Sequence, residues 1–167
     1  MTAVRGWSRW PVVMHSLRTA VAAVTSLLVA RLLRLPATFW APITTLVITQ
    51  SSLGAAWTAS RQRFIGTIFG ALLGAFLVAR FGSGVMLFGL CVFLLGLLCA
   101  GTDVDRNGYR FGGVTLAIVM LIPRTDSVWR VAFQRFSEVS VGIAVALLLA
   151  VLWPEQDVVT VPVASHP

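Results

Sequence analysis

Apolar residues in this chain come in long runs, not in the alternation of a half-buried strand or the one-sided stripe of a surface helix. Six such runs follow one another. The first extends from Val12 to Leu35 and stops at Pro36, with Arg18 near one end and Arg31 and Arg34 near the other. The second, Ala37 to Trp57, carries no charge, holds Pro42 near its start and turns polar at Thr49-Gln50-Ser51-Ser52. The third, Phe64 to Ala79, follows Arg61 and Arg63, and a Phe81-Gly82-Ser83-Gly84 turn leads into the fourth, which continues to Thr102. Asp103 to Arg110 reads as a polar loop. The fifth run, Phe111 to Pro123, is short, and the sixth, about Val131 to Trp153, contains Arg135 and Glu138 and ends at Pro154. A run of about 20 apolar residues crosses a bilayer as a helix. The pattern therefore predicts an all-α membrane protein with six transmembrane helices over residues 12–154, a cytoplasmic segment 1–11 and a disordered tail 155–167. The fifth run covers only about 20 Å of a roughly 30 Å hydrocarbon core, so it must tilt, borrow flanking residues or be broken.

Composition agrees with this class. Of 167 residues, 57% are hydrophobic and 11% charged, against about 25% charged in soluble domains. The net charge is +7, and all 13 basic residues are Arg. These arginines are scattered between apolar runs and form no basic patch, which argues against a nucleic-acid partner. Cys91 and Cys99 share one apolar run and read as helix-buried thiols, and no spacing suggests a metal site. His15 reads as an interfacial residue. No nucleophile–base grouping, paired intramembrane carboxylates or phosphate-binding loop is visible, so neither an enzyme nor a cofactor is expected.

Sliding the chain against itself by 72 residues places Trp57 on Trp129, Gln62 on Gln134, Arg63 on Arg135, Phe64 on Phe136, and Gly70 on Gly142; Phe39 also falls on Phe111. Two units, about 12–80 and 81–154, would each hold three spans. An odd number forces the second unit to enter the membrane from the opposite side, giving a 3+3 inverted-topology repeat of the kind transporters use. With both termini cytoplasmic, Arg5, Arg9, Arg18, Arg61, Arg63, Arg106 and Arg110 lie inside and Arg31, Arg34, Arg80, Arg124, Arg130 and Arg135 outside. That near balance hardly fixes orientation by the positive-inside rule.

Gly66, Gly70 and Gly74 stand at i, i+4 and i+8, a smooth stripe for close helix packing or for a sliding face, and Gly142 repeats the theme in the second unit. Thr67 beside them bonds locally or faces a cavity. Arg135 and Glu138 share a helix face, as a structural ion pair or as an anion-attracting residue beside the one intramembrane acid. Arg63 has no acidic residue three or four positions away and is freer to meet a ligand or lipid headgroup. The second and fifth spans occupy matching places and are marked by Pro42 and Pro123, candidate helix breaks. A broken helix offers free N–H groups and a positive dipole end to an anion. Trp40, Thr44, Thr45, Thr49 and Gln50 would line such a path, unless the hydroxyls bond back to their own helix.

Leu17-Arg18-Thr19-Ala20, Leu35-Pro36 with Phe39-Trp40-Ala41-Pro42, Arg63-x-x-Gly66-Thr67-x-x-Gly70 and Arg135-x-x-Glu138-x-x-x-Gly142 together resemble the fusaric acid resistance family, which belongs with the aromatic acid exporters and plant anion channels. The resemblance spans about Arg18 to Pro154, and its Arg-x-x-Gly-Thr-x-x-Gly element is the most specific part. It implies a six-helix unit that moves organic, often aromatic, carboxylates, and channels that pair as dimers with arginines along the pore. Many bacterial members carry a further membrane half and a cytosolic domain, neither of which is recognisable here.

The expectation is a bacterial inner-membrane exporter of organic anions. Its partners would be lipid, a small organic anion, and a second copy or another membrane subunit. Arg18, Trp40, Thr45, Gln50, Arg63, Thr67, Arg135 and Glu138 are its pathway candidates. The alternative is a non-transporting membrane scaffold using the glycine stripe as its interface. Asp103 and Asp105 are the one acidic cluster an enzyme would have, and they read as loop.

Overall fold

The computed structural model describes residues 9–49, 52–102, 104–122 and 127–153, with side chains from residue 13 onward. Gln50, Pro123 and the 155–167 tail lie outside the described residues, as does most of segment 1–11. Six helices and no strand occur among the described residues: α1 (Arg9–Leu32), α2 (Trp40–Ile48), α3 (Leu53–Phe81), α4 (Val85–Gly101), α5 (Arg106–Leu121) and α6 (Val128–Leu152).

These helices are not six equivalent spans. Three are long and apolar enough to cross a membrane, over Val13–Leu32, Leu53–Phe81 and Val128–Leu152, and Val85–Gly101 is a shorter apolar helix. The 9 residues of α2 reach about 14 Å, less than half of a bilayer core.

The second run divides, though not where its proline suggested. Pro42 occupies the third position of α2, where a backbone N–H has no partner within the helix. A proline fits there, so Pro42 helps to open α2 and does not interrupt it. The break comes later, at Thr49, which is extended (ψ 103°). Ser52, also extended, then caps α3 by accepting the Ala55 N–H at 3.3 Å. The residues from Leu53 to Arg63 thus belong to the long third helix. Similarly, Arg106 to Arg110 are the first turns of α5 and not loop.

α3 is the centre of the bundle. It packs against α5 and α6; α2 packs against α6 and α1, and α4 covers α5 and α3. Helices α3 and α6 are antiparallel. Ala56 near the start of α3 clusters with Ala146 and Ala150 near the end of α6. Phe64 meets Phe136, ring centroids 5.3 Å apart, and Ala71 and Ala75 meet Ala132. The buried side chains are small, mostly Ala, Gly, Ser and Thr, while large ones such as Leu32, Met86, Phe133 and Leu152 point outward. Water offers no such arrangement a driving force. It is the pattern of a membrane bundle, where lipid accepts the large side chains and small residues let backbones approach.

Candidate functional site

The polar residues buried in this bundle converge on α2. Arg63 of α3 donates through Nη2 to Thr44 Oγ1 at 3.2 Å. Its guanidinium also lies 4.7 Å from the centre of the Phe111 ring of α5. Arg135 of α6 stands the same 4.7 Å from the Trp40 ring and pairs through Nη2 with Glu138 Oε2. Trp40 and Thr44 are one turn apart on α2, about 6 Å along its axis, so both guanidinium groups reach the same short helix within one turn. Both arginine residues are 6% exposed and Glu138 is 0% exposed, so this charge is enclosed by protein.

Sequence and packing explain how the cluster forms. Glycines let the helices carrying the arginines approach their partners. A Cβ on Gly66 or Gly70 would overlap the Gly108 or Gly112 carbonyl oxygen of α5. A Cβ on Gly142 would stand 2.6 Å from the Ala41 carbonyl oxygen and from Thr44 Cβ of α2. The contact of α3 with α5 is thus matched by that of α6 with α2: an arginine on an aromatic ring, and seven residues later a glycine against the backbone one residue past that ring (Arg63, Phe111, Gly70, Gly112; Arg135, Trp40, Gly142, Ala41). The turns ahead of the short helices are tied down too. Ala37 N–H donates to Glu138 Oε1 at 3.0 Å, and Gln62 Nε2 donates to Asp105 Oδ2 at the start of α5.

The charges are only partly offset. A charge at mid-helix in a membrane costs about 2.5–3.5 kcal/mol on insertion scales. Arg135 recovers this with a carboxylate and a Trp face, and cation–π contacts are worth up to about 2 kcal/mol when desolvated. Arg63 has a neutral hydroxyl and a Phe face, and its Nε is buried without a hydrogen-bond partner among the described residues.

Other candidates fall elsewhere. Thr67 is 1% exposed, but its hydroxyl donates to the Arg63 carbonyl at 2.7 Å. Thr45 donates to the carbonyls of Ala41 and Gly142, at 3.1 and 3.0 Å, and so staples α2 to α6. Thr49 bonds back to Thr45 at 2.7 Å. These hydroxyls are consumed by backbone. Arg18 is buried in α1 and engaged with neighbours. Gly74 is less crowded but still tight: a would-be Cβ stands 3.3 Å from Val119 Cγ1, a side-chain atom that would have to give by a few tenths of an ångström. Sequence reading missed the aromatic partner of Arg63, although Phe111 took part in the repeat. It also missed Gly108 and Gly112, whose i, i+4 spacing is that of Gly66 and Gly70. The Ala37 N–H carries no side-chain signal at all. An apolar groove of about 270 Å³ between α3 and α6, with Trp129 and Phe133 in its walls, contains none of the buried charges.

Comparison with known proteins places this arrangement. The chain is 29% identical over 150 residues to the inner membrane protein YeeA of Escherichia coli K12, covering 86% of this chain and 42% of that protein. It is 28% identical over 157 residues to proteins of Mycobacterium bovis and Mycobacterium tuberculosis named "Putative arylamide transporter", covering 90% of this chain and 42% of theirs. The chain thus spans about two-fifths of the length of the curated relatives it matches. Residues 21–149 match the family model described as fusaric acid resistance protein-like. That match takes in every helix of the arginine cluster, and with the apolar spans above it makes the chain a membrane protein of the fusaric acid resistance protein-like family.

Proposed function

We propose that this protein is an inner-membrane transporter for organic anions, aromatic carboxylates foremost, or one subunit of such a transporter. The observation that carries the reading is Arg63: a buried guanidinium whose Nε has no hydrogen-bond partner among the described residues, resting on an aromatic face. A carboxylate leaving water loses hydration that a planar, always-charged guanidinium replaces with directed hydrogen bonds. Phe111 offers the ring of an aromatic acid a stacking surface beside that charge. The relatives named as arylamide transporters support transport of aromatic compounds by this family.

In this reading the two matched helix contacts are the halves of an inverted repeat, with α2 and α5 as short helices directed toward a shared site. Antiparallel α3 and α6 and the pairing of Phe64 with its repeat counterpart Phe136 support such a pseudo-two-fold. The working unit is a homodimer or a pair with another membrane subunit, with both termini cytoplasmic. The scaffold alternative loses its main support, because α5 already covers Gly66 and Gly70.

Purified full-length protein in liposomes tests this. Outward-directed benzoate gradients should drive flux, and Arg63→Gln should lower it about tenfold or more, the size of one lost charge-assisted contact. Absence of benzoate movement under any imposed gradient, or wild-type flux in Arg63→Gln, would sink the reading.

A further inference from the structure

The two arginines that match in the repeat do not share a counter-ion. Three residues after Arg135 stands Glu138; three residues after Arg63, at the position 72 earlier, stands Gly66. Gly66 has no room for any side chain, since even a Cβ would overlap Gly108. The first arginine therefore has no carboxylate from its own helix, and the second has one. One oxygen of that carboxylate accepts a hydrogen bond and the other faces a cation. Glu138 is 0% exposed; Oε2 meets the Arg135 guanidinium, and Oε1 accepts the Ala37 N–H at 3.0 Å. The Trp40 ring lies under the same guanidinium at 4.7 Å. A guanidinium resting on an aromatic ring, with a backbone N–H facing the same carboxylate, is what a site for a small free carboxylate contains.

We propose that Arg135, Trp40 and the Ala37 N–H form a second carboxylate subsite, which the protein fills with its own Glu138. Glu138 is a tethered substitute for ligand. It leaves Arg63 as the one arginine of the pair open to a soluble anion, and that last point rests on the transport reading above. The subsite itself does not.

Glu138→Ala deletes one methylene and one carboxylate, the heavy atoms of acetate. In the full chain, purified in detergent, sodium acetate should raise the melting temperature of Glu138→Ala by several degrees over matched sodium chloride, because a ligand that binds only the folded state stabilises it. Wild type, with only Arg63 open to the anion, should show a clearly smaller shift. Equal responses of wild type and variant, or none in the variant, would overturn the subsite. If Glu138→Ala yields no folded protein, Glu138→Ser empties nearly the same space and keeps a polar stub. Its acetate-induced thermal shift should then exceed that of wild type, and Arg135→Gln in the same chain should abolish the excess; no excess overturns the proposal. Acetate rescue in a protein that moves no benzoate upholds the subsite and removes only the transport reading. Arg63-dependent benzoate flux without acetate rescue does the reverse.

Discussion

At the scale of residues, the arginine pair separates stability from ligand chemistry. Arg135 balances a carboxylate with no exposed surface, and removing one partner of a buried pair leaves an uncompensated charge. Arg135→Gln should therefore destabilise the fold by about 3–5 kcal/mol, seen as a large drop in melting temperature in detergent. Among the described residues Arg63 balances no carboxylate; it gives one hydrogen bond to Thr44 and covers a ring. Arg63→Gln should melt close to wild type while losing its response to benzoate. Arg63→Lys should restore the charge but not the planar fork, and recover only part of that response. Equal melting losses at the two positions would mean that both arginines are merely structural.

Helix-to-helix contact sets the next scale, and there the glycines divide by what surrounds them. Gly70→Ala and Gly142→Ala place a methyl against a backbone carbonyl of the facing helix. Backbone cannot yield as a side-chain tip does, so α3 must part from α5, or α6 from α2. Both variants should melt far below wild type. Gly54, Gly89 and Gly113 have nothing within 4 Å of a would-be Cβ. Alanine there should be neutral or stabilising by up to about 1 kcal/mol, because glycine is the poorer helix former. The cap of α3 gives a milder case. Ser52→Ala removes the acceptor for Ala55 N–H and should cost about 1 kcal/mol. Thermal melts of this set, run side by side, check the packing without reference to transport.

Taken whole, the molecule makes a topological prediction. Antiparallel packing of α3 and α6 puts their first turns at opposite ends of the bundle. Trp57 and Trp129, matched by the 72-residue offset, are 62% and 50% exposed near those ends. In a background where Cys91 and Cys99 are replaced by alanine, Trp57→Cys and Trp129→Cys should react with a membrane-impermeant thiol reagent from opposite sides of the membrane. Labelling of both from one side would exclude an inverted repeat. Trp and Tyr favour the membrane–water interface, which is where a water-borne reagent reaches them.

The apolar runs alone determine that this is a helical membrane protein, because burying a helix in lipid needs only length and hydrophobicity, and both are local properties. The 72-residue offset likewise brought out Arg63 and Arg135 as a pair, since matching residues at constant spacing can be seen in sequence alone. The break between α2 and α3 was less legible: Pro42 marked the right segment but the wrong residue, since a proline in a first turn costs nothing. Only the tertiary structure decided that Arg63 rests on Phe111, that Glu138 reaches the Ala37 N–H across 101 positions of sequence, and that Thr45 and Thr67 spend their hydroxyls on backbone. Those outcomes depend on which helix faces meet. Many faces of an apolar helix are equally acceptable to lipid, and the choice among them is made by the close approach of Gly66 and Gly70 to Gly108 and Gly112, and of Gly142 to Ala41.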